Sequence, residues 1–106
     1  MTAYAIAHLH DVEMCDDIVE YLERIDDTLA PFGGRFVIHG ARADVREGEW
    51  RGDLIAIAFA DLDAARAWYT SDAYRAIQPL RARHASGPLI LIDGVDAQHR
   101  ATDILR

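Results

Sequence analysis

Residues 3–29 read AYAIAHLHDVEMCDDIVEYLERIDDTL, and one change of period inside them decides the fold. From Ala3 to Leu9 the chain alternates, with Tyr4, Ile6 and His8 on one parity and Ala5, Ala7 and Leu9 on the other, which predicts a buried first strand. From Asp16 the apolar residues Ile18, Leu22, Ile25 and Leu29 recur at helical spacing, and Asp17, Glu20, Glu23, Asp26 and Asp27 fill the outer surface. An amphipathic helix follows the strand. Asp16 or Asp17 is expected to accept from the free N–H groups of its first turn, and Pro31 with Gly33-Gly34 is expected to stop it.

Working outward, Phe36-Val37-Ile38-His39 predicts a second strand, and Gly40 a bulge or kink before the polar segment 41–52, where Glu47-Gly48-Glu49-Trp50 suits a hairpin turn. Leu54 to Phe59 predicts a third strand, with Ile55, Ile57 and Phe59 on the heavier face under the helices. Asp61 caps a second helix through Ala65, Trp68 and Tyr69; Ser71 caps a following turn carrying Tyr74, Ile77 and Leu80, with Pro79 near the break between helical pieces. A fourth strand, Leu89 to Asp93, ends at Gly94, and residues 95–106 form a polar C-terminal tail. The expected architecture is therefore an α+β, ferredoxin-like βαββαβ fold: a four-stranded antiparallel sheet with two helices on one face. The strands carry few polar residues on either parity, so the uncovered sheet face is expected to pair with a second copy as a homodimer.

The chain of 106 residues, 51% of them apolar, is read as one domain, 1–106. Acids outnumber bases 18 to 11, and the net charge of −7 argues against partners held by their phosphates, so neither nucleic acid nor an anionic membrane is expected. Every one of the 11 bases is Arg; without Lys no Schiff base forms, which excludes aldolase-like and pyridoxal-phosphate chemistry. Cys15 is the sole cysteine, no apolar run approaches the ~20 residues of a membrane span, and no secretory signal is seen. A reducing, cytoplasmic location is expected.

Phe32-Gly33-Gly34-Arg35-Phe36, Gly40, Glu47-Gly48-Glu49-Trp50, Ala65, Trp68-Tyr69, Ser71, Tyr74, Leu80-Arg81 and Asp93-Gly94 together resemble the family catalogued as domain of unknown function 1330, in the dimeric α/β-barrel superfamily. The resemblance runs from Tyr4 to about Gly94. It implies two ferredoxin-like protomers packed sheet to sheet into a barrel, each with a small-molecule cleft. Relatives in the superfamily include cofactor-independent monooxygenases, muconolactone-isomerase-like proteins, cyclases and haem-handling enzymes, while the family itself implies no agreed activity. His99-Arg100 of the tail lies outside the pattern and either reaches a partner subunit or has no role.

The topology is expected to bring His8, His39, Trp50 and Arg81 to one edge of the sheet, with His10 and His84 close by. Imidazole has the unperturbed pKa nearest physiological pH, so His39 or His8 can serve as a general base; the competing reading has each ring bonded to a nearby carbonyl. Arg81 can hold a carboxylate or an enolate by two parallel bonds, or else pair with Asp93 or cap its helix. Trp50, Tyr21, Tyr69 and Tyr74 are candidates to line the substrate site, against the plainer reading of the tyrosines as core, where Trp68 is placed.

Other chemistries find less support. His8-x-His10, with His39 or Asp11 as a third ligand, has a spacing that metal sites use, but two ligands are a weak signal and no metal is expected. Ser71 and Ser86 lack a G-x-S-x-G context, Gly33-Gly34 lies in the wrong order for a phosphate loop, and Cys15 reads as buried filler among Val12, Met14 and Ile18. The reading reached is a small enzyme without cofactor that abstracts a proton from a carbonyl-bearing or polyketide-like small molecule, as in isomerisation, cyclisation or cofactor-free oxygenation. His39 or His8 takes the proton, Arg81 steadies the enolate, and Tyr69 or Trp50 positions the ring. The alternatives are a non-catalytic dimeric binding or assembly module and a metal-dependent enzyme using His8 and His10.

Overall fold

The computed structural model describes all residues, 1–106. Strand β1 (Ala3–Leu9) leads to helix α1 (Asp16–Leu29), then β2 (Arg35–Ile38), β3 (Asp53–Phe59), helices α2 (Leu62–Tyr69) and α3 (Asp72–Ala82), and β4 (Leu89–Asp93); short 3-10 turns lie at Ala30–Phe32 and Ala101–Leu105. The sheet order is β2-β3-β1-β4 with every pairing antiparallel, the split βαβ arrangement.

Strand parity divides the sheet into two unlike faces. Ala5 sits opposite Ile57 and Leu91, and Ala7 opposite Ile55 and Leu89, on the face that packs under the helices. The core there joins Ile25 and Leu29 of α1, Ile57 and Phe59 of β3, Trp68 of α2, and Tyr74 and Ile77 of α3. Trp68 is fully buried and its indole N–H donates to Thr28 Oγ1 at 3.0 Å, so its one polar atom is satisfied inside the core. Gly34 packs so closely that a Cβ there would meet the Phe59 ring at 2.7 Å and Leu29 at 2.8 Å. The other face presents Ile6, Leu54, Ile90 and Ile92 with no layer over them; Ile90 is 48% and Ile92 46% exposed.

Five local expectations need correction. The helix layer holds three helices rather than two, and the break falls at Thr70–Ser71, not near Pro79, which lies inside α3. Ser71 explains the break: in extended conformation, its N–H and hydroxyl both donate to the Trp68 carbonyl, and its Oγ accepts from Tyr74 N–H at 3.2 Å. The N-cap of α1 is Cys15, with no side-chain cap, while Asp16 and Asp17 stand in the first turn, where acids suit the positive helix end. The bulge of β2 lies between Phe36 and Ile38 rather than at Gly40, and His39 falls outside the strand.

Candidate functional site

Small residues on the helix-facing parity of β1 leave room that a larger side chain would fill. Between the sheet and helices α1 and α3, beyond Ala5 and Ala7, lies a cavity of about 200 Å³ with mostly apolar walls, including Ile18, Ile55 and Leu89. Its mouth opens where β1 ends. There the β1–α1 loop is stitched to the α3–β4 loop by His10 and Ser86, which exchange backbone hydrogen bonds at 2.9 Å, and by Glu13 N–H donating to the His84 carbonyl at 2.8 Å. Gly87 at φ +119° makes this closure possible, because a Cβ there would collide with the His8 carbonyl oxygen.

Four polar side chains reach the cavity: Arg81, Tyr21, His39 and Asp53. Arg81, from the last turn of α3, is only 7% exposed and takes part in none of the nine ion pairs of the chain. Its Nε is buried without a hydrogen-bond partner. Asp93 cannot serve, since antiparallel pairing sets it opposite Ala3, at the far end of β1 from the cavity mouth. The guanidinium carbon stands 5.9 Å from the centroid of the Tyr21 ring, and the Tyr21 and Tyr74 hydroxyls share a buried hydrogen bond of 2.9 Å.

The electrostatics follow from this burial. Burial pushes the Tyr21 hydroxyl well above its ordinary range, the Tyr74 hydroxyl adds to the rise, and Arg81 opposes it. For Arg81, burial favours the neutral form, but the Tyr74 and Tyr21 oxygens outweigh it and leave the guanidinium more firmly protonated than usual. The cavity thus holds a fixed positive charge beside a neutral phenol, a pair able to bind an anion or to stabilise negative charge developing on a carbonyl oxygen. His39 is exposed, lines the same cavity and stacks on Phe36 with ring centroids 4.4 Å apart.

The expected cluster at one sheet edge splits in two. His39, Arg81 and Tyr21 share the cavity; His8 and Trp50 meet on the opposite face of the sheet, stacked at 4.3 Å with an 11° interplanar angle. The reason is parity: His8 pairs with Leu54 on the uncovered side, while Ala7 and Leu9 point beneath the helices. His8 Nε2 lies 2.7 Å from the Arg51 carbonyl oxygen, the bonded arrangement weighed for it above. Beside that stack Arg51, Asp11 and His10 form an exposed cluster. The His10 hydrogen bond holds the Asp11 carboxyl below its usual range, with Arg51 helping and burial opposing. The His8 and His10 rings stand 6.0 Å apart, and no group of three or more metal-ligating side chains assembles anywhere in the chain.

The remaining candidates separate as well. Tyr74 is fully buried and touches the site through its bond to Tyr21, whereas Tyr69 borders a separate shallow depression with Arg75 and Pro79. Trp68, assigned to the core, also forms part of the cavity wall. His84 is occupied by Asp17, with Nε2 3.0 Å from the carboxylate. The residues that reasoning from sequence missed are Ala5 and Ala7, which make the space, and Val12 and Met14 at its mouth. A run of alanines on one strand parity facing large helix residues was the available signal.

The fold is shared with solved structures of low sequence identity. A protein of unknown function from Rhodopseudomonas palustris is 13% identical, over 90% of this chain and 83% of that one, with a TM-score of 0.63. A dimeric ferredoxin-like protein of unknown function from Jannaschia sp. CCS1 is 14% identical, over 89% and 100% of the two chains, with a TM-score of 0.66. SnoaB, a cofactor-independent oxygenase from Streptomyces nogalater, is 19% identical, over 92% and 98%, with a TM-score of 0.51. At these identities the likeness establishes the fold, which is ferredoxin-like. No curated protein matches the chain. The family model described as a domain of unknown function, DUF1330, matches residues 2–95, and the chain belongs to that family.

Proposed function

We propose that the protein is a small cofactor-independent enzyme that abstracts a proton next to a carbonyl group of a small molecule bound in the cavity between the sheet and the helices. The observation that carries this reading is the buried Arg81 guanidinium, left without a carboxylate at the wall of an apolar cavity that His39 also lines. An unpaired buried cation is costly, and a site that keeps one has a use for it when negative charge arrives. In this reading His39 takes the proton, Arg81 holds the enolate oxygen and the Tyr21 hydroxyl donates a further hydrogen bond. The role given to His8 passes to His39, because His8 stands on the other side of the sheet. Trp50 and Tyr69 likewise leave the reacting centre, and Tyr74 acts by positioning Tyr21.

The likeness to a cofactor-independent oxygenase fits an enzyme that needs no bound organic group. The apolar outer sheet face and the dimeric Jannaschia neighbour support a homodimer formed through that face by residues 1–106 acting as one domain. No helix is long and apolar enough to cross a membrane, and the lone thiol of Cys15 suits a reducing compartment such as the cytoplasm.

A second reading, capture of a small ligand without turnover, is favoured by the same unpaired Arg81, which can bind an anion with no base present. Deuterium uptake from heavy water into a panel of short-chain and single-ring ketones and oxo acids, followed by NMR, separates the two. Catalysed exchange that falls about 10²- to 10⁴-fold in His39→Gln supports the enzyme. Exchange no faster than buffer across the panel, or unaltered in His39→Gln, contradicts it.

A further inference from the structure

We infer that the ligand of this cavity is a small monocarboxylate with a body no larger than one ring, its carboxylate seated on Arg81. The inference rests on the reading of the cavity as the functional site and narrows its ligand. Three observations carry it.

The first is charge in the resting complex. A neutral ketone becomes anionic only during the reaction, so for the rest of its residence it leaves the buried guanidinium unpaired and its Nε unsatisfied. A carboxylate supplies the missing charge and acceptors throughout, and the planar fork of Arg matches it with two parallel bonds. The second is the absence of competition from the protein. Asp93 is tied to the far end of β1, Asp17 is taken by His84 and Arg83, and Asp53, which lines the cavity from the exposed start of β3, makes no ion pair with Arg81. With a carboxylate on Arg81 in the place a neutral ketone would give its enolate oxygen, the Tyr21 hydroxyl, kept neutral by burial beside the guanidinium, is the donor left for the enolate oxygen of an oxo acid.

The third is size and surface. A cavity of about 150 Å³ accepts benzene, so the 200 Å³ here holds one ring, or a short branched chain, together with a carboxylate. Fused rings exceed it, which narrows the polyketide-like class to its smallest members. Ala5 and Ala7 line the cavity on the β1 side and Trp68 on the helix side, so the body meets apolar walls.

Isothermal titration calorimetry of the full chain with benzoate, cyclohexanecarboxylate, the uncharged benzamide and the two-ring 2-naphthoate tests this. At least one of the two single-ring acids is expected to bind, with benzamide and 2-naphthoate each about tenfold or more weaker. Arg81→Met is expected to erase the preference for the acid over the amide. Ala7→Leu, which keeps the guanidinium and fills the space, is expected to weaken the acid by about tenfold or more, and it decides the matter if Arg81→Met fails to fold. Benzamide or 2-naphthoate binding as well as the acids, failure of both acids to bind, or acid affinity unchanged in Ala7→Leu overturns the inference. Benzoate has no exchangeable proton next to a ketone, so its titration reads the site and not catalysis. Acid binding without deuterium exchange in any ketone removes the enzyme and leaves the carboxylate site. Exchange into neutral ketones without any acid preference does the reverse.

Discussion

At the scale of the residue, the decisive feature is a guanidinium that the protein buries and does not pair. Replacing a buried charge by an apolar side chain of similar length is often neutral or stabilising, because the desolvation penalty disappears. Arg81→Met is therefore expected to hold its melting temperature or raise it by up to about 5 °C. A loss of more than that in a thermal melt means that the Tyr21 and Tyr74 contacts hold the guanidinium more tightly than this account allows. Tyr21 supplies the pH dependence. Its folded pKa lies above the ordinary value near 10, so the stability it contributes is complete below about pH 10 and is lost as pH rises beyond it, where the unfolded chain ionises first. Denaturant melts between pH 8 and about pH 11 are expected to show a fall that is shallower, by one proton, in Tyr21→Phe. An equal fall in both proteins counts against the buried phenol. Arg81 was legible in the sequence as a base after an apolar helical turn, but its two readings could be separated only by where antiparallel pairing puts Asp93. The placement of His8 was legible too, since it shares parity with Tyr4 and Ile6. His39 was not: three residues after Phe36, it reaches the same side only because a bulge intervenes, and the tetrapeptide carries no mark of one.

At the scale of the element, the sequence located the secondary structure closely because its signals were local. Ile18, Leu22, Ile25 and Leu29 fixed α1, Asp61 caps α2 by accepting from Ala64 N–H at 2.8 Å, and Ser71 caps α3. What the pattern could not rank was Ser71 against Pro79 as the point where the second helical region breaks. Proline in the last turns of α3 is tolerated, whereas the Ser71 hydroxyl bonds backward to Trp68 and forward to Tyr74. Because α3 carries Arg81 at its other end, the cap also sets the height at which the guanidinium meets the cavity. Ser71→Ala is expected to cost about 1 kcal/mol in chemical denaturation. Ser71→Asp, which restores an acceptor, is expected to recover most of that. A Ser71→Ala protein as stable as the parent removes this account of the break. The cavity itself belongs to the same scale: Ala5 and Ala7 on a strand beneath large helix residues leave the void, and it has no motif of its own.

At the scale of the whole molecule, the shape is extended for its length. The radius of gyration is 15.1 Å, where a compact chain of this size has about 13 Å. Residues 41–50 are exposed throughout, and so is the tail after Gly94 apart from Asp103. Within residues 95–106, Ile104 and Leu105 are each 80% exposed. Together with the uncovered side chains of Leu54, Ile90 and Ile92, these are the surfaces that the proposed homodimer would cover. Ile90→Glu combined with Ile92→Glu is expected to convert a dimer into a monomer in light scattering, while leaving the helix-side cavity in place. Unchanged mass in the double variant places the contact elsewhere. That the outer face would be apolar was legible from the mixed parities of the strands, but not that it would gather His8 and Trp50 away from Arg81. The central claim, that function resides in the cavity beneath the helices and not on that outer face, is tested most directly by a crystal structure grown with benzoate. Density is expected for one ring beside Ala7 and Trp68 with its carboxylate on Arg81. Density against the His8–Trp50 stack, with the cavity empty, contradicts it.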